Sequence, residues 1–121
     1  MKTRRSYKSS LNLTEYYIPG YRRRILHRLD GPALKYDGSM LWYRYGELHR
    51  IDGPAVIYSN GTKCWYLNGV RHREDGPSVV SLNGWEEWHL NGERYTKEEW
   101  FDLLNDEQKE KMLYSEHFIG G

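Results

Sequence analysis

The stretch 49–71 reads HRIDGPAVIYSNGTKCWYLNGVR, and it decides the fold. Working outward from it, His-Arg-x-Asp-Gly-Pro occurs three times, starting at His27, His49 and His72, with spacings of 22 and 23 residues. Trp42, Trp65 and Trp88 keep a step of 23, as do Gly38, Gly61 and Gly84, and also Gly46, Gly69 and Gly92. A fixed short period of this kind marks a repeat array, in which each unit buries its apolar face against the next. A half-formed copy precedes the three: Tyr16 stands four residues before Gly20, as each Trp stands before its Gly. An insertion at residues 21–24 separates it from the first His.

Each copy reads as strand, turn, strand, turn. In the middle one, Ala55 to Tyr58 is a short β run, and Asn60-Gly61 is a hairpin signal because both residues accept positive φ. Lys63 to Leu67 is the return strand, Asn68-Gly69 a second tight turn. Asp75-Gly76-Pro77 and its equivalents end the pairing, since Pro has no donor for a ladder. Strict alternation predicts Trp42, Trp65 and Trp88 on one face with Leu67 and Leu90, forming one ridge with Leu34, Val56 and Val79. The other face then carries Tyr43, Tyr66 and His89, half exposed.

The period ends where Tyr95 replaces the fourth His. Thr96 and Glu99 form a capping box, followed by an apolar stripe of Trp100, Leu103 and Leu104. Asn105 with Gln108 starts a second helix through Met112 and Leu113 to about Phe118. A helical cap on the last repeat answers the need to close an open sheet. The expected architecture is mainly β: a single-layer meander of stacked hairpin repeats over 1–95, with a degenerate first copy at about 14–26 and three copies from 27. A short helical cap follows over 96–121.

Composition agrees. Five Trp, 11 Tyr and two Phe among 121 residues supply a core to a chain that is otherwise polar. One cysteine, Cys64, excludes an internal disulfide framework and a multi-cysteine zinc site, and it fits a reducing cytoplasm. Charge is uneven along the chain. Residues 1–36 hold nine Lys/Arg against two acids, residues 37–85 five against five, and residues 86–121 four against ten. No run approaches the length of a membrane span. Met1-Lys2-Thr3-Arg4-Arg5 has no apolar run behind it, so it does not read as a secretory signal.

With period, turns and rings placed, the chain resembles MORN repeats. It resembles more closely the tandem HRxDGPA and WYxNG repeats of bacterial and bacteriophage proteins. The resemblance covers residues 14–95. It implies a cytoplasmic, non-enzymatic scaffold that binds proteins or, in some eukaryotic members, lipids.

The residues themselves offer little chemistry. His27, His49 and His72, with Asp30, Asp52 and Asp75, invite a reading as a metal or catalytic array. Successive copies stand about 10 Å apart, two strand spacings, too far for three imidazoles to share one zinc. The simpler reading is that each Asp caps its turn while the Arg or His packs on a ring or bonds a carbonyl. Cys64 has no base beside it in sequence. No catalytic residue, metal site or cofactor is therefore expected. Interface composition points instead to protein binding through Tyr21, Arg22, Arg23 and Arg24 on the insertion, or Tyr43, Arg44, Tyr45 and Tyr66 on the repeats. A host bacterial enzyme or defence complex, inhibited or modulated by a phage-encoded binder in the host cytoplasm, is the partner class the resemblance suggests. Nucleic acid is the first alternative, held by Arg4, Arg5, Lys8, the insertion arginines and Arg28, with Tyr16, Tyr17 and Tyr21 stacking on bases. A structural or virion-associated role is the second. Membrane binding finds no amphipathic basic helix or lipidation motif.

Overall fold

Glycine turns at short intervals, separated by runs too short for a helical face, leave the chain only antiparallel hairpins to form. The computed structural model describes residues 2–115. The array opens with β1 (Arg4–Lys8), a 3-10 turn (Ser9–Leu11), β2 (Leu13–Ile18) and β3 (Ile25–Leu26). Each later copy contributes two successive hairpins. These are β4 (Leu34–Tyr36) and β5 (Ser39–Leu41), then β6 (Tyr43–Arg44) and β7 (Glu47–Leu48). The next copy gives β8 (Val56–Ile57) and β9 (Lys63–Cys64), then β10 (Tyr66–Leu67) and β11 (Val70–Arg71). The last gives β12 (Val79–Val80), β13 (Glu86–Leu90) and β14 (Glu93–Tyr95), before α1 (Lys97–Asp102) and α2 (Asp106–Leu113). Ten strands make one antiparallel sheet in the order β1-β2-β4-β5-β8-β9-β12-β13-β14, with β3 on β2; β6-β7 and β10-β11 stand as two-stranded ribbons. The expected mainly β meander is present, and the degenerate copy pairs as the others do, Tyr16 N donating to the Ala33 carbonyl at 2.7 Å.

The return strand is not continuous. It breaks at Trp42 and again at Trp65, where the backbone leaves the sheet ladder. Trp42 N donates to the Ala55 carbonyl at 2.7 Å, and its own carbonyl accepts from His49 N at 3.0 Å. Trp65 repeats this with Ser78 and His72. A broken strand does not carry side-chain alternation across the break, so the single ridge expected from the sequence divides. Val56, Cys64 and Val79 form the central core with Leu41, Leu48 and Tyr66 packed against them. Trp42 and Trp65 lie outside it. Trp88 belongs to a second core with Trp100, Leu104 and Met112, joined by Leu90, Tyr95 and Phe101.

What covers the other two Trp rings is arginine. Arg50 lies over Trp42 at 4.0 Å from the ring centroid and Arg73 over Trp65 at 3.8 Å; in the degenerate copy Arg28 lies over Tyr16 at 3.9 Å. The rest of the turn holds that guanidinium. Arg50 Nε donates to Asp52 at 2.9 Å and Arg50 Nη1 to the Pro54 carbonyl at 3.1 Å, with matching bonds from Arg28 and Arg73. A side chain on Gly53 would meet the guanidinium carbon at 2.9 Å, and one on Gly76 at 2.7 Å. Arg, Asp, Gly and Pro of each Arg-x-Asp-Gly-Pro thus serve one stack, worth roughly 0.5–2 kcal/mol according to its desolvation.

The two turn types differ in kind. Asn68-Gly69 and Asn91-Gly92 have positive φ at both residues, as do Asp37-Gly38 and Tyr45-Gly46. At Asn60-Gly61 and Asn83-Gly84, only the glycine does. These are longer loops, closed by Gly61 N to the Tyr58 carbonyl and Tyr58 N to the Thr62 carbonyl, with Asn60 Oδ1 accepting from Thr62 N. This corrects the expected two-residue turn at Asn60-Gly61. It also explains the spacings, because the first copy has the two-residue Asp37-Gly38 turn and is one residue shorter there.

The C-terminal cap is built as its signals predict. Thr96 Oγ1 accepts from Glu99 N at 3.1 Å while Glu99 Oε1 accepts from Thr96 N at 2.9 Å, and Asn105 and Gln108 repeat the pattern. Trp100 is fully buried against Trp88, ring centroids 4.7 Å apart, and its indole N–H donates to the Arg73 carbonyl at 2.8 Å. A ring therefore takes the place the next arginine would hold. Two expectations change. Leu103 is exposed, because α1 ends at Asp102 and Leu103 is its C-cap; α2 ends at Leu113, short of Phe118, which lies outside the described residues. At the opposite end β1, unforeseen in the sequence, pairs along β2 and leaves a charged edge of Arg4, Arg5 and Lys8, which discourages further pairing.

Gly53 has no left-handed backbone angle, so only the guanidinium forbids a side chain there. Gly53→Ala is expected to cost about 1–3 kcal/mol by urea denaturation, as overpacking does. In an Arg50→Ala background, the same substitution should cost little. An equal cost in both backgrounds would refute this account of the glycine.

Candidate functional site

The histidines of the three turns tie the start of each copy to the tight turn near its end. Tyr45 N donates to His27 Nδ1 at 2.9 Å, Asn68 N to His49 Nδ1 at 2.9 Å, and Asn91 N to His72 Nδ1 at 2.8 Å. A backbone N–H can only donate, so each Nδ1 is bare and the proton of the neutral ring sits on Nε2. His72 Nε2 lies 3.0 Å from Glu74 Oε1, and Glu74 in turn accepts from Gln108 of α2 at 2.7 Å. His49 Nε2 is buried with no partner among the described residues. The reason is one residue: the middle copy has Ile51 where the third has Glu74.

The same turns line two open grooves. One, of about 690 Å³, lies between the first and second HRxDGP turns and is floored by Trp42 under Arg50. The other, of about 890 Å³, lies between the second and third turns, with Gln108, Lys111 and Met112 of α2 on its rim. Arg44, His49, Arg50, Ile51 and Asp52 border both. Arg44 itself is tied to the next copy, donating to Asn68 Oδ1 at 2.9 Å.

The residues expected to bind a partner do not come together. Tyr21, Arg22 and Arg23 are exposed on the insertion. Arg24 beside them is engaged with Glu15 at 2.7 Å and lies over the Tyr17 ring at 4.5 Å. Tyr43 and Tyr66 are half-buried, and Tyr66 packs on the central core and takes a bond from Arg71 at 3.1 Å. Burial raises the Tyr43 phenol above its ordinary value, with Tyr58 and Tyr66 adding to it. Tyr45 is exposed but strained: it holds φ +48° where the later copies use Asn, and its ring rests on His27 at 4.2 Å. Of the repeat residues, only Arg44 borders the grooves. The sequence did contain a signal for them: the x of HRxDGP is Leu29 and Ile51, aliphatic residues in a polar turn.

Two apparent reaction centres resolve into structure. Ser78, His89 and Glu87 form a serine–histidine–carboxylate chain, Ser78 Oγ bonding His89 Nδ1 and His89 Nε2 standing 3.8 Å from Glu87. Ser78 is fully buried and borders neither groove, so no substrate reaches it. His89 is buried as well, not half exposed as alternation suggested. The third copy replaces Ala by Ser and Tyr by His together, and the two replacements bond each other. Cys64 is buried, and burial pushes its thiol above the ordinary range, which removes thiolate. Among the described residues, no group of three His, Cys, Asp or Glu is placed to hold a metal, and no helix is long and apolar enough to cross a membrane. Compared with protein-family models, curated proteins and solved structures, the chain finds no match.

The imidazoles set a pH dependence. Burial first, then the Arg44 charge, holds His27 and His49 below their ordinary 6.5; burial, then Arg71, does the same for His89. The unfolded chain therefore binds protons that the folded one refuses. Stability is complete above pH 6.5 and falls as pH drops below it. Urea midpoints at pH 7.5 and 5.5 should differ, the lower at 5.5; equal midpoints would refute this role for the histidines. Ile51→Glu should supply His49 Nε2 with the acceptor His72 already has, raising stability by about 1 kcal/mol. A lowered midpoint for that variant would contradict the orphaned donor.

Proposed function

We propose that this chain is a non-enzymatic protein-binding repeat module. The supporting observation is where its side chains are spent. The repeated Arg and His are consumed inside the array, on rings, turn carbonyls and the N–H groups of the tight turns. Large apolar residues are left standing on that rigid frame, with Tyr21, Leu29, Ile51, Leu82 and Trp85 all exposed. Exposed apolar groups held by a stiff scaffold are what protein interfaces are made from. The resemblance of the repeats to bacteriophage arrays supports a partner in a bacterial host's cytoplasm, an enzyme or defence complex that the module occupies.

The nucleic-acid reading loses two of its three stacking platforms. Arg28 covers Tyr16, Arg24 covers Tyr17, and both arginines are paired to acids of this chain.

Affinity purification of the tagged chain from bacterial lysate, with and without nuclease, tests the proposal. One protein retained near equal stoichiometry in both preparations is expected. Retention of polynucleotide, with companions lost on nuclease treatment, would overturn it.

A further inference from the structure

We infer that the ledge of HRxDGP turns is the binding surface, and that it takes a basic amphipathic helix of the partner protein; this rests on the protein-binding reading above. Leu29 and Ile51 occupy equivalent places on successive turns and are 80% and 84% exposed. Nothing in the array uses them, whereas the Arg on one side of each is stacked and the Asp on the other is bonded to that Arg.

The charges that the turns themselves present outward are carboxylates. Asp30, Asp52 and Asp75 are 86%, 84% and 82% exposed, while the arginines they hold are 22%, 23% and 16% exposed. Each pair thus shows its carboxylate outward and keeps its cation over a ring. A partner must bring cations for the carboxylates and aliphatic groups for Leu29 and Ile51.

The third turn shows the occupant's shape. There the aliphatic residue is replaced by Glu74, and a helix of this chain already stands against it. Gln108 of α2 donates to Glu74, and Lys111, one turn further on, borders the same groove. A donor and a cation on one helix face therefore meet this ledge in cis. The spacing suits a helix along the first two turns. Neighbouring copies repeat at about 9.6 Å, two strand spacings, and residues i and i+7 of a helix stand about 10.5 Å apart.

The test uses the full chain and a synthetic helix of leucine and lysine with its leucines on one face, followed by amide chemical shifts. Shifts should concentrate at residues 28–30 and 50–52. A helix of leucine and glutamate in the same pattern should not bind. The double variant Leu29→Ser/Ile51→Ser should weaken binding roughly tenfold or more, and Leu82→Ser, on a distant hairpin tip, should not. Both positions are exposed, so these variants are expected to keep their fold, checked by their urea midpoints. Equal binding of the acidic helix, or insensitivity to the double variant, overturns the inference. The protein captured from lysate is then tested with the same variants. Its loss with Leu29→Ser/Ile51→Ser alone supports this surface. Its retention by that variant overturns the surface and leaves protein binding standing, while an empty capture overturns both.

Discussion

An arginine laid flat on the aromatic ring of the preceding copy is the contact on which the array depends. Between β2 and β13 the sheet's strands are two or three residues long and give little ladder to hold it, and its central core is only Val56, Cys64 and Val79 with their partly buried neighbours. The Trp rings lie outside that core and would otherwise face water. Guanidinium is well suited to cover them: it is flat, weakly hydrated, and keeps donors at its edge for Asp and the Pro carbonyl while its face lies on the ring. The glycine follows from this, since a flat group pressed against the backbone excludes a Cβ. The exposure of the Asp follows too, because it must hold the Arg from outside.

The histidines make a second, independent tie at the same turns. Arg binds each turn back to the ring of the copy before, and His binds it to the tight turn near the end of its own copy. Coupling between neighbours therefore rests on Arg, in the nearest-neighbour arrangement by which a solenoid sums its stability. The ends break the pattern in ways that show its purpose. At the C-terminus, Trp100 replaces the absent Arg on Trp88 and sends its N–H to the Arg73 carbonyl. At the N-terminus, Tyr16 replaces Trp under Arg28, and β1 adds a charged edge.

Function, on this view, occupies what the frame does not need. The residues that repeat most faithfully are structural, and the variable x of each turn is where Leu29, Ile51 and Glu74 part company. Tyr43 and Tyr66 looked like interface residues by composition, but both are half-buried and Tyr66 helps to close the core. Tyr45 accepts a strained backbone to lie on His27. A repeat array can change its partner by changing x without touching Arg, Asp, Gly or Pro.

The sequence by itself determined the period, the turns, the meander and both capping boxes, because each is written in residues within a few positions of one another. It also held the Arg-on-ring and Asp-on-turn roles as a reading, since they recur in every copy. Tertiary structure alone decided which face each ring occupies. Alternation holds only along an unbroken strand, and the break at Trp42 and Trp65 is made by bonds to Ala55 and Ser78, more than ten residues away. It alone decided that His49 lacks the acceptor His72 has, and that Ser78, His89 and Glu87 meet, the serine and the histidine buried. The ledge was legible only in part. Leu29 and Ile51 could be seen to be aliphatic, but their exposure depends on where the fold puts the turns, and that is a property of the stacked array rather than of any one copy.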